Sequence, residues 1–176
     1  FSYLSIYSQV NLNIILRTPT PSSLSEWQTD PSIVQIFITN QSTQSYPNSY
    51  ISFSIINEQN VVVAETDDYD QSIPRFNIPA GPSTVIFNGP QVVNVNTVSF
   101  DPTTRNIAFT TNSIPEGNYQ FCVRLLDQSG NNISATGEIC TNFFVMIPDP
   151  PTLISPVDNE IISSPFPNFI WTPVTN

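Results

Sequence analysis

The chain has 176 residues, of which four are Arg, none is Lys or His and fourteen are carboxylates, giving a net charge of −10. With no imidazole and no lysine, a Ser-His-Asp triad and its Lys variant are excluded, and nothing is available to neutralise a run of phosphates, which excludes nucleic-acid binding. Only 10% of residues are charged while 67 of 176 are Ser, Thr, Asn or Gln, so hydroxyls and amides wet this surface, as expected of a secreted module.

The chain opens on Phe1-Ser2-Tyr3-Leu4-Ser5-Ile6-Tyr7-Ser8-Gln9, an apolar patch followed by polar residues. It reads either as the remnant of a signal peptide, though without an initiator Met or a basic stretch, or as a donor strand lent to a neighbour. Seventeen prolines then recur so often that long helices are excluded. Between them the hydrophobic period is two. Val10, Leu12 and Ile14 share a face, as do Val34, Ile36 and Ile38. Ile51, Phe53 and Ile55 oppose Ser52 and Ser54. Residues 61–65, 84–87, 92–98 and 106–110 are further predicted strands, separated by Pro, Gly and Asn turns. Seven or more short strands at this spacing predict an all-β, antiparallel sandwich of the immunoglobulin or fibronectin-III kind over residues 10–147.

Two features inside this stretch suggest ligands. Asp67, Asp68 and Asp70 could supply oxygens to Ca²⁺, but the EF-hand spacing and its glycine are missing, and a solvated acidic turn is the preferred reading. Trp27, Tyr46, Tyr50 and Tyr69 could form a sugar-stacking platform, against the more ordinary role of strand-end packing.

Residues 115–127 carry the most information. A turn at Pro115 to Gly117 feeds a strand with Tyr119, Phe121, Val123 and Leu125 on the core face and Gln120, Cys122 and Arg124 on the other. After the turn at residues 128–132 the returning strand places Ile139, Phe143, Val145 and Ile147 inward, with Cys140 and Asn142 outward. Both cysteines therefore occupy the polar face of a hairpin. A disulfide between adjacent strands is predicted over two buried free thiols, and no third thiol or His is available for a metal. An immunoglobulin disulfide instead crosses the core, with Tyr two positions before Cys; here Tyr119 stands three before Cys122, in opposite phase.

Pro148-Asp149-Pro150-Pro151 begins a Pro-rich joint, and residues 148–176 read as this linker followed by the first strands of a second module. Those strands are residues 152–155 and 166–173, with Trp171 as the anchor of a second core. Two strands alone are marginal in water, so the module is expected to be completed by further chain or by another subunit. The longest apolar runs, such as residues 143–147, fall far short of the roughly 20 residues needed to span a bilayer.

Val10 to Ile14, the Pro-rich stretch from Thr18 to Trp27, and above all Ile114 to Tyr119 leading into Phe121-Cys122-Val123-Arg124 and then Cys140-Thr141-Asn142-Phe143 resemble the TANFOR-type N-terminal module of large secreted surface proteins of Bacteroidota and their relatives. Pro151 to Pro156 and Trp171 to Val174 resemble the start of the fibronectin-III-like repeat that follows it in that family. The resemblance implies a non-enzymatic structural protein of the bacterial cell surface or an extracellular filament, linked in many members to type IX secretion and gliding. It implies no catalytic residues and no cofactor. Its partners would be other surface proteins or copies of itself, engaged by strand pairing through Leu4, Ile6, Val10 and Leu12 at one end or Leu153, Phe169 and Trp171 at the other. An ordinary first strand and the start of a next domain are the simpler alternatives. The competing function is a polysaccharide-binding module attached to a secreted enzyme.

Overall fold

Period-two hydrophobicity folds here into two facing antiparallel sheets, seen in a computed structural model that describes residues 10–111, 113–147 and 150–173. In chain order the elements are β1 (Val10–Leu16), α1 (Leu24–Thr29), β2 (Val34–Asn40), β3 (Tyr46–Asn57), β4 (Val62–Thr66), β5 (Phe76–Ile78), β6 (Ser83–Asn88) and α2 (Gly89–Val92). A 3-10 turn at Val95–Thr97 leads into β7 (Val98–Phe100), α3 (Pro102–Thr111), β8 (Gly117–Leu126) and β9 (Ile139–Val145). One sheet runs β1-β2-β6, and the other runs β7-β4-β3-β8-β9 with β5 against the first part of β3. Beyond β1 the chain crosses over, and Thr20 bridges in parallel to Val145 on β9, so the first segment serves both sheets. The fold is an all-β sandwich of antiparallel sheets.

The alternation read from sequence holds where a strand has one sheet face on the core. Val34, Ile36 and Ile38 of β2 are fully buried, and Ile51, Phe53 and Ile55 of β3 face them with Phe121, Val123 and Leu125 of β8. Ser52 departs from expectation: it is buried, on the outer face, where Arg124 donates to its hydroxyl. Trp27 fills the centre of the sandwich end from α1, a helix that alternation could not reveal. It is fully buried, meets Phe121 and Phe143 edge-on at 5.6 and 5.4 Å, and donates its indole N–H to the Pro21 carbonyl at 2.8 Å.

Two predicted strands are corrected. Residues 92–98 form the end of α2, the 3-10 turn and the start of β7, because asparagines cap the turns. Asn88 and Gln91 form a capping box, and the Asn94 side chain accepts from the Asn96 N–H. Residues 106–110 lie in α3. Asp101 accepts from the N–H groups of Thr103 and Thr104 at 2.9 and 3.2 Å, and Pro102 follows at the first helical position, so a helix start prevails over the alternation. Ile147 is also corrected: it lies beyond β9 and is 48% exposed.

Where α1 meets α2 the backbones touch. A Cβ on Gly89 would stand 2.1 Å from the Trp27 carbonyl oxygen, a clash with main chain that no side-chain rotation relieves. Gly89→Ala is expected to destabilise the sandwich by about 1–3 kcal/mol, read as a lowered urea midpoint at unchanged slope.

The chain divides into two compact units, one reaching Met146 and one beginning at Ile147. In the second, β10 (Leu153–Ser155) pairs with β11 (Ile170–Trp171), Leu153 opposite Trp171. Trp171 does not anchor a core here: it is 55% exposed, and Leu153, Phe166, Phe169 and Ile170 are exposed as well, since two strands have only each other to pack on.

Candidate functional site

The cysteines sit where their phase predicts. Cys122 on the central strand β8 is directly opposite Cys140 on β9, and the two are joined with Cα atoms 4.0 Å apart. The free-thiol alternative falls. One detail differs from expectation: Cys140 is exposed, but Cys122 is only 1% exposed, being flanked by Cys140 on one side and by Ser54 of β3 on the other.

The acidic segment does not gather into a cation site. Asp67 accepts from the Tyr69 N–H and Asp70 from the N–H and hydroxyl of Ser72, each closing its own turn. Asp68 points the other way and pairs with Arg124 at 3.2 Å. The segment then continues as a strap across the outer face of the larger sheet. Ile73 packs with Tyr50 and Leu126 in a small buried cluster, and the Arg75 guanidinium lies 3.9 Å over the Tyr50 ring. Burial, followed by the nearby Asp68 charge, pushes the Tyr50 hydroxyl above its ordinary range. Among the described residues the one trio of potential metal ligands within 4.8 Å is Cys122, Glu138 and Cys140, whose sulfurs are already bonded to each other. Asp67, Asp68 and Asp70 thus do not bring their oxygens within 4.8 Å of one another as a set, and the preferred solvated acidic turn describes Asp67 and Asp70, while Asp68 gives one oxygen to Arg124 and keeps Oδ1 buried with no hydrogen-bond partner among the described residues.

Four turn carboxylates share a depressed pKa. Hydrogen bonds from Ser32, Ser72, Thr104 and Asn131 hold Asp30, Asp70, Asp101 and Asp127 respectively below the ordinary 3.8. Groups lowered on folding stabilise the native state above their unfolded pKa and lose that contribution as pH falls through their folded values. The thermal midpoint should therefore stay level down to about pH 5 and fall below about pH 4, and Asp127→Asn should blunt that fall.

The predicted aromatic platform is likewise not assembled. Trp27 is wholly in the core, Tyr50 is buried under the strap, Tyr46 is half-buried and Tyr69 is 94% exposed. Leu4 and Ile6 lie outside the described residues. Val10 and Leu12 belong to β1, an in-chain strand paired with β2, with Val10 buried and opposite Asn40. Leu153, Phe169 and Trp171 are exposed on the second unit.

A groove of about 570 Å³ that alternation alone did not single out lies at the end of the larger sheet, where Asn57 to Asn60 turn between β3 and β4. Tyr119 and Phe143 also line it; their rings stack at 5.5 Å on the core side of the sheet, with the Tyr119 hydroxyl donating to the Pro115 carbonyl at 2.9 Å in the manner of a tyrosine corner. Burial, then the Glu58 charge, raises that phenol's pKa. The groove's outer wall is a tile of four residues from two strands. Gln120 faces Asn142, and one step along, on the same face, Asn118 faces Phe144. Asn118 donates to Glu58, whereas the Gln120 and Asn142 amides have no hydrogen-bond partner among the described residues. Their outward phase was readable in the sequence; the register that sets them side by side was not.

No family model matches the chain, and no curated protein does. Among solved structures it is similar to a family 123 glycoside hydrolase from Clostridium perfringens, described for glycolipid glycan hydrolysis, at 9% identity and a TM-score of 0.32. That match covers 78% of this chain and 27% of the hydrolase. Among the described residues no helix is long and apolar enough to cross a membrane, and the disulfide is the state that an oxidising compartment favours.

Proposed function

We propose that the chain is a non-enzymatic, extracellular structural and protein-interaction module of a bacterial cell-surface protein, acting as a rigid spacer or fibre component. The observation that carries this reading is the serial build: a disulfide-stapled sandwich leads through a proline-rich stretch into a second unit with its own β pairing. The charged side chains support it. Arg17 pairs with Asp30 at 2.7 Å and Arg124 with Asp68 at 3.2 Å, so these groups tie loops to the body of the sandwich. The resemblance to TANFOR-type modules points the same way and suggests the surface of a Bacteroidota-type cell. Partners would add strands at the free edges of the sheets, where main-chain hydrogen bonds give affinity.

Negative-stain microscopy with light scattering tests the reading. Uniform elongated monomers fit a spacer and regular filaments fit a fibre component. Multiple turnover of fluorogenic glycosides or esters by the purified chain, abolished by removing a carboxylate, overturns it.

A further inference from the structure

We infer that the tile of Asn118, Gln120, Asn142 and Phe144 at the mouth of the groove binds a neutral glycan, a function beyond the spacer role and independent of it. The geometry supplies the two things that a sugar ring requires. Its C–H face needs an accessible apolar surface, and its hydroxyl rim needs groups that both donate and accept. Phe144 is 41% exposed on β9, an orientation that exposes a large aromatic side chain to water with no core to pack against. Gln120 and Asn142 stand directly opposite each other, both exposed, and each amide carries two N–H donors and an acceptor oxygen. Neither is committed to another described residue, so neither must break an internal bond to engage a hydroxyl.

Spacing fits as well. Same-face neighbours along a strand lie about 6.8 Å apart and adjacent strands about 4.8 Å apart. The aromatic row and the amide row are therefore separated by roughly the span of one sugar ring. Both rows sit on β8 and β9, which the Cys122–Cys140 bond clamps in register on the same face, so the tile is held before any ligand arrives. Charge decides the class of glycan. The groove's acidic side chain is Glu58, already accepting from Asn118, and the whole chain carries −10, which repels uronic and sulfated polymers and admits uncharged ones. The tile shares no residue with Trp27, Tyr46, Tyr50 or Tyr69.

Affinity electrophoresis of the whole chain in gels containing hydroxyethylcellulose, arabinoxylan, glucomannan or mixed-linkage β-glucan tests this, with polygalacturonate as the acidic control. Retardation is expected in at least one neutral gel. Phe144→Ala, and separately the Gln120→Ala/Asn142→Ala pair, should each weaken it by about tenfold or more with the melting midpoint unchanged, while Tyr69→Ala leaves it intact. Migration unaffected in every neutral gel, retardation in polygalacturonate alone, or neutral-gel retardation that survives both sets of substitutions would overturn the site. Any of these results leaves the spacer reading standing, since that reading rests on the serial build.

Discussion

Trp27→Ala is expected to cost the first unit about 3–5 kcal/mol, the largest effect of any single substitution proposed for this chain. Three losses combine at one position. The indole is fully buried, so its apolar area returns to water and a large cavity remains. Its edge-on contacts with Phe121 and Phe143 join α1 to the inner strand β8 and the edge strand β9 of the larger sheet, and these vanish together. The Pro21 carbonyl loses its N–H donor in a part-buried place, and an unpaired acceptor there has its own penalty. Trp27→Phe keeps most of the volume and loses the hydrogen bond, so it should cost markedly less. Chemical denaturation followed by fluorescence checks both variants. Trp171 is 55% exposed and emits as a wet indole, so the blue-shifted component of the native spectrum belongs to Trp27. Against a typical total of about 5–15 kcal/mol, a loss of this size brings the unit close to unfolding. A cost below about 1 kcal/mol would mean that α1 is an ornament and the sandwich closes without it.

What the sequence could and could not disclose follows from the range of the interactions involved. Burial on one face is a local property, so Val34, Ile36 and Ile38, or Phe121 and Val123, reveal themselves by period alone. The outward phase of Cys122 and Cys140 is local too, and phase with a short turn was sufficient to predict a staple between neighbouring strands. Residues 106–110 mislead because their short apolar run between Asn106 and Thr110 reads like a strand; the contrary signal, Asp101-Pro102, stands several residues earlier as a helix-start signature. Trp27 reads equally as part of a ligand platform because a lone aromatic between polar residues carries no period, and its six-residue helix is too short to show one. The acidic segment shows the other limit. Three carboxylates in four residues look like a cation loop until Arg124, 56 residues away, is seen to hold Asp68. The groove required the same kind of knowledge: Asn118, Gln120, Asn142 and Phe144 become a tile only when the register of β8 on β9 is fixed.

Replacing both cysteines, Cys122→Ala with Cys140→Ala, is expected to lower stability by about 3 kcal/mol, the loop-closure value for a bridge spanning this separation, and the melting midpoint by about 6–12 °C. Alanine is the right replacement at Cys122, because a serine hydroxyl in that covered position would add a desolvation cost of its own. Reduction of the wild-type chain should reproduce the same shift, and the double variant should then be indifferent to reductant, which separates the covalent bond from the packing of the sulfurs. The competing effect is the hairpin turn. Asp127 accepts from the N–H groups of Ser129 and Asn131, and Leu126 bridges to Asn132, so the turn end of β8 is already closed by hydrogen bonds. Those bonds melt with the fold, whereas the staple persists in the unfolded chain and restricts it, and for this reason the covalent contribution should survive in the measurement. A loss below about 1 kcal/mol would mean that residual turn structure already restricts the reduced, unfolded chain, and the staple would then matter for register more than for stability. Mass spectrometry of protein taken from its natural source supplies the companion check: the intact mass should be 2 Da below that of the reduced chain, on the order expected for one disulfide in an oxidising compartment, and two free thiols there would overturn the extracellular assignment.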